Sequence, residues 1–199
     1  MGIEMIGNII TDKIIIKYLQ KRGYFISKTD YQYAYNSFVE TFVQQQYRWL
    51  VQNLKSNTTA IDYGSQAGDS AFYLLNEGKG KIEEVLAYEP DDDFYNLLSK
   101  NIKLVNANNI MSFHSKAPEP FISPDKDNII IKCDIEGAEH NVFTKDADLT
   151  GVYKIQLEYH GGTRDLPEVF KSKGFKVKID SPYVIDTKLG EVGWLYAWK

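Results

Sequence analysis

Thr58-Thr59-Ala60-Ile61-Asp62-Tyr63-Gly64-Ser65-Gln66-Ala67-Gly68-Asp69-Ser70 carries the clearest signature of the fold. Its first six residues form a short apolar and β-branched run, the composition of a buried strand. Gly64 and Gly68 follow, where the backbone can bend sharply, and Asp69-Ser70 opens a helical pattern. Strand, tight turn and helix make the first half of a βαβ unit, and the same rhythm recurs downstream. Strands are expected at TTAIDYG, EEVLAYE, NIMSFHS, NIIIKCDI and YKIQLEYH, with helices at 69–77, 91–103, 137–145 and 163–173. FKVKID and GWLYAWK then close the chain as an antiparallel pair. The pattern predicts an α/β fold: a doubly wound, mostly parallel seven-stranded sheet with a C-terminal antiparallel hairpin.

Upstream, 11–22 (TDKIIIKYLQKR) has an early Asp, late basic residues and Gly23 after them, the polarity of a capped helix. Phe38, Phe42, Gln45, Trp49 and Leu50 fall near helical spacing and predict a second helix from about Tyr31 to Lys55. Residues 1–57 therefore read as a helical extension or cap, and 58–199 as the main domain. Pro-rich APEPFISPD (117–125) reads as a surface loop.

The turn after the first strand also carries chemistry. Gly-x-x-x-Gly is not the Gly-x-Gly-x-x-Gly that seats a pyrophosphate, and Asp62 before it would repel one. A nucleoside without phosphate that bears a sulfonium and an ammonium, S-adenosylmethionine, suits the turn better. Leu86-Ala87-Tyr88-Glu89-Pro90 ends a second strand in a carboxylate, 25 positions after Gly64 (89 − 64), where two ribose hydroxyls could be bound. Pro90 and the run Asp91–Asp93 then start a helix favourably. The expected cofactor contacts are Asp62, Gly64, Ser65, Gly68, Glu89, Pro90 and Asp134.

Ile129-Ile130-Ile131-Lys132-Cys133-Asp134-Ile135-Glu136-Gly137-Ala138-Glu139 ends a buried strand in three carboxylates within six residues. Unpaired buried charge is costly, so such groups must face water, a ligand or a metal. Together with the turn and Glu89, this stretch resembles the FkbM family of S-adenosylmethionine-dependent methyltransferases over roughly residues 58–180. The resemblance implies methyl transfer, commonly to a hydroxyl of a sugar, glycolipid or natural product. It places Asp62, Gly64 and Gly68 in the cofactor turn, Glu89 on the ribose and Asp134 opposite the cofactor, and it matches Leu157-Glu158-Tyr159-His160 to the family's next strand end. Tyr63, Ser65 and Gln66 depart from the residues usual in that turn, and His114-Ser115-Lys116 departs from those usual near the adenine.

A hydroxyl acceptor must lose a proton near the transition state. Asp134, Glu136, Glu158 and His160 lie at neighbouring strand ends; the expected catalytic residues are Asp134, Glu158 and His160, with His160 or Asp134 as general base. Asp134, Glu158 and His160 could alternatively hold Mg²⁺ or Mn²⁺, although no dedicated metal ligands are assigned. His114 reads as a strand or loop residue, His140 as helix surface and Cys133 as a packed thiol.

The 199 residues carry a formal charge of −4, which argues against a large nucleic-acid footprint, and the family resemblance implies a small-molecule or glycan acceptor. No Asn-Pro-Pro-Tyr or Asp-Pro-Pro-Tyr strand end is present for a flipped base. One cysteine and a polar-interrupted N-terminus point to a cytoplasmic protein without a membrane span. The aromatic 31–55 segment and a C-terminal edge near Trp194 and Trp198 are candidate surfaces for an oligomer. Two other functions compete: an NAD-type oxidoreductase, and a nucleoside-binding interaction module without catalysis.

Overall fold

The computed structural model describes Ser37, residues 39–182 and 190–199, and the backbone of 184–186. The helix expected at 11–22 lies outside the described residues. Strands β1 (Thr58–Tyr63), β2 (Ile82–Tyr88), β3 (Ile110–Phe113), β4 (Ile129–Cys133), β5 (Val152–His160), β6 (Lys176–Ile179), β7 (Val184–Asp186) and β8 (Gly190–Trp198) form one sheet. Its main path has the order β3-β2-β1-β4-β5-β8-β6, with the short β7 paired to β8. The first five strands are parallel, and β8 runs antiparallel to both β5 and β6. The expected seven-stranded sheet is therefore present. Its closing hairpin is threaded so that β8 lies between β5 and β6.

Helices α1 (Asp69–Glu77), α2 (Asp92–Leu104), α3 (Glu139–Val142) and α4 (Leu166–Ser172) connect the strands. Alternating side chains divide the core between the two faces of the sheet. Ile61, Ile129, Ile131, Ile155 and Leu157 pack with Val142, Phe143, Leu166 and Phe170 on one face. Ala60, Val85, Ala87 and Ile130 pack with Ala71, Leu74, Leu98, Leu50 and Leu54 on the other. Helices α1 and α2 thus cover one face, and α3 and α4 the opposite one. That change of side occurs between β1 and β4, and it opens a crevice at their C-terminal ends.

The continuous helix over 31–55 is not formed among its described residues: a π-helix at Val39–Val43 gives way to turns over 46–53. The carbonyls there are claimed from the sheet. Lys154 Nζ donates to Trp49 O at 2.9 Å and to Gln52 O at 2.6 Å, and Gln156 Nε2 donates to Gln46 O at 2.8 Å. The aromatic spacing nevertheless serves packing, with Trp49 edge-on to Tyr196 and Trp198, and Tyr47 edge-on to Trp194. Trp194 and Trp198 accordingly lie on an internal strand and not on a sheet edge. The 117–125 stretch, expected as a surface loop, is irregular but not wholly superficial. Phe121 is 0% exposed, and its backbone pairs with Val142 O and Asp148 N.

Candidate active site at the β1/β4 crevice

Three strand ends meet here. Gly64 follows β1 at φ +77°. Its N–H and that of Ser65 both donate to Tyr88 O at 3.1 Å, joining the ends of β1 and β2. On the other side, Asp134 N–H donates to Tyr63 O at 3.1 Å, joining β1 to β4. Gly68, at φ +102°, precedes the first turn of α1, and Asn101 of α2 donates from Nδ2 to Ala67 O at 2.8 Å, holding the turn from behind. Asn101 has no signal in the sequence that would have singled it out.

Glu89 is only 4% exposed at the end of β2. Its Oε2 accepts the Gln66 N–H at 2.8 Å and its Oε1 the Asp91 N–H at 2.9 Å. Burial raises its pKa above the usual value, and those two amide bonds partly offset the shift. Each oxygen keeps a lone pair for a ligand hydroxyl. Asp62, expected to contact the cofactor, is fully buried beneath the turn. Its Oδ2 accepts from Ser70 Oγ at 2.6 Å, and Oδ1 lies 3.1 Å from Lys132 Nζ in an ion pair without good hydrogen-bond geometry. Ser65 is also buried, donating to Asp62 O at 3.0 Å. Both act on the turn from below.

The crevice has a volume of about 560 Å³ and is lined by Gly64, Gln66, Glu89, Pro90, Asp91, Phe94, Asp134, Ile135 and Glu136. Four of these are carboxylates and none is Lys, Arg or His. A comparable cavity of about 610 Å³ lies away from these groups, between 45–54 and the end of α1.

Beyond Asp134, the expected catalytic residues come together. Asp134, Glu158 and His160 place one donor atom each within 4.8 Å of the others. Burial, then the Asp134 charge and a hydrogen bond to Asp134, push the Glu158 carboxyl up to about 9, so it holds a proton at neutral pH. His160 is 5% exposed, with Nδ1 at 3.0 Å from Glu139 Oε1 and Nε2 at 3.4 Å from Glu136 Oε2. Burial would lower its pKa, but the hydrogen bond and charge of Glu139, with Asp134 and Glu136, outweigh burial and raise it. Glu139 shows the reciprocal effect: burial opposes its ionisation, and His160 overcomes that to leave its pKa lowered. Both ring nitrogens of His160 thus already face carboxylates.

Glu139 and Lys132 are functional neighbours with no role assigned from sequence. A lysine inside an otherwise apolar central strand was the available signal. Away from the crevice, His114 pairs with Asp92 at 3.0 Å and stacks on Tyr95. His140 Nε2 lies 3.0 Å from His160 O, and burial raises the Cys133 thiol well above its usual pKa.

Glu158 gives a stability test. Its folded pKa lies above its unfolded one, so between about 4.5 and about 9 the folded state holds a proton that the unfolded state releases. Stability from this group is therefore complete at low pH and declines as pH rises through that window, by at most about 1.4 kcal/mol per unit for an isolated site. Differential scanning calorimetry from pH 5 to 9 should show a falling Tm in wild type and a flatter profile in Glu158→Gln. Parallel profiles would show that Glu158 is ionised in the fold.

No sequence-family profile matches the chain, and no curated protein matches it in sequence. Similar solved structures include TrmK of M. capricolum bound to S-adenosylhomocysteine, at 14% identity and TM-score 0.56, covering 77% of this chain and 67% of that one. A precorrin-6y C5,15-methyltransferase of Geobacter metallireducens is 18% identical with TM-score 0.54, covering 78% and 89%. A Clostridium thermocellum protein described as an rRNA methylase is 14% identical with TM-score 0.57, covering 79% and 94%. At these identities the likeness is one of fold: the Rossmann-like architecture of methyltransferases. Among the described residues, no helix is long and apolar enough to cross a membrane.

Proposed function

We propose that the chain is an S-adenosylmethionine-dependent O-methyltransferase of FkbM type, acting on a hydroxyl of a sugar, glycolipid or small natural product. The observation that carries this reading is the crevice lining: four carboxylates, no cation and a glycine turn at the switch point. Such a lining opposes phosphates and favours a cationic nucleoside, which disfavours NAD-type chemistry. Glu89, fixed by two backbone amides, would hold the ribose hydroxyls, with Gly64 and Pro90 beside it. When bound, S-adenosylmethionine supplies an electrophilic methyl group on sulfur.

The protein's own part is to align the acceptor and take its proton. Asp134 lines the crevice and would accept the hydroxyl proton, while protonated Glu158 orients its carboxylate through their hydrogen bond. His160, held by Glu139, would preserve the geometry of this group. Residues 1–57 would cap the acceptor side. Glu40 supports that placement, since burial and then the Asp134 charge raise its pKa.

Isothermal titration with S-adenosylmethionine tests the cofactor assignment. Wild type should bind saturably, and Glu89→Ala should bind at least ~10-fold more weakly, since hydrogen bonds to a charged group contribute about 1.5–3 kcal/mol each. A wild type that binds NADH and ignores S-adenosylmethionine would instead make the chain an oxidoreductase. A hydroxylated acceptor panel, run with EDTA and with added Mg²⁺ or Mn²⁺, tests the reaction. Equal turnover in both is expected; turnover only with the cation would assign Asp134, Glu158 and His160 as its ligands.

A further inference from the structure

Lys132 is the penultimate residue of β4, 2% exposed, beneath the crevice. Burying an ammonium is expensive, so a lysine retained there must have several well-placed partners. Its Nζ donates to Gly64 O at 2.7 Å and to Tyr63 O at 3.2 Å, and it lies 3.1 Å from Asp62 Oδ1. The Tyr47 ring sits 5.6 Å away on the side of the 46–53 turns. Neutralising Asp62 would need only one of the three protons. Two are directed at successive carbonyls of the turn that the cofactor is proposed to meet.

We propose that Lys132 is a positioning residue for that turn, acting on bound S-adenosylmethionine through the Tyr63 and Gly64 carbonyls; the inference rests on the methyltransferase reading above. The chain of contacts is continuous. Lys132 draws the two carbonyls inward, the Gly64 and Ser65 N–H groups are anchored on Tyr88 O, and the Gln66 N–H is thereby delivered to Glu89 Oε2. The turn cannot relax toward β4 either, because Gly64 already sits against the Asp134 carbonyl. Loss of the ammonium would free the Gly64 carbonyl, leave the Tyr63 carbonyl held by the Asp134 N–H alone, loosen Gln66 and leave Glu89 with one fixed oxygen. The same ammonium places a positive charge under a carboxylate-lined crevice, close enough to Glu158 to counter the rise in its pKa.

The experiment separates this role from simple charge balance. Lys132→Met alone leaves Asp62 buried and unpaired and is expected to lower Tm. Lys132→Met/Asp62→Asn removes both charges and should recover most of that Tm, yet bind S-adenosylmethionine at least ~10-fold more weakly than wild type in the same titration. A double variant that binds like wild type would reduce Lys132 to a counter-ion and overturn the inference alone. A wild type that binds no S-adenosylmethionine would sink the methyltransferase reading, and the inference with it. Should the double variant fail to fold, ¹⁵N NMR of the wild-type lysine ammonium decides. A slowly exchanging Lys132 signal that shifts on saturation with S-adenosylmethionine supports positioning, and one unmoved by saturating ligand refutes it.

Discussion

Gly64→Ala should destabilise the protein by about 3–5 kcal/mol, or prevent folding altogether. A Cβ at this position would lie 1.9 Å from the Asp134 carbonyl oxygen, far inside contact distance. Neither partner can withdraw easily. Asp134 is tied to Tyr63 O through its own N–H, and Gly64 is tied to Tyr88 O. The positive φ of +77° adds a strain of about 1 kcal/mol for a residue with a side chain. Gly80→Ala is the control, since Gly80 has a similar φ of +75° but open space around its added Cβ. Urea denaturation should give a loss of about 1 kcal/mol for Gly80→Ala and several-fold more for Gly64→Ala. Equal losses would mean that β1 and β4 are not as closely apposed as described.

Asp134→Asn should lower kcat by about 10²–10⁴ on any acceptor found in the hydroxyl panel, the usual worth of a positioned general base. Cofactor affinity should fall far less than kcat, because Glu89 and the turn are untouched and three of the four lining carboxylates remain. Stability should not fall, since the substitution removes a negative charge that helps keep Glu158 protonated. The Glu158 pKa should then move back toward its usual value, and the decline of Tm with pH should become shallower. A drop in kcat of less than ~5-fold would remove Asp134 from the role of base. His160→Gln would then be the next variant to assay, since Glu136 and Glu139 face its ring and raise its basicity.

Much of the architecture was legible because its signals are local. The run of Ile129, Ile130 and Ile131 can only be a strand buried on both faces, and α1 occurs at the predicted 69–77. The carboxylate ending EEVLAYE marks a strand end wherever the strand is placed. The helix predicted over 31–55 failed because its aromatic spacing reports which residues are buried and not which backbone hydrogen bonds form. Lys154 and Gln156, more than a hundred residues away, take carbonyls that a regular helix would have used. Phe121 escaped notice for a related reason: prolines mark irregular backbone, but nothing local says that one side chain of the loop is drawn into the core.

Local sequence was enough for the parallel sheet, the glycine turn, the acids Glu89, Asp134 and Glu158, and the antiparallel ending, because hydrophobic period and turn chemistry act over a few residues. Folding alone brings Asp62 under the turn against Lys132, Glu139 onto His160, and Glu158 up to Asp134. It also decided that β8 inserts between β5 and β6. These are pairings between groups distant in the chain. Their charges and hydrogen bonds acquire strength only when folding brings them together and removes the water between them.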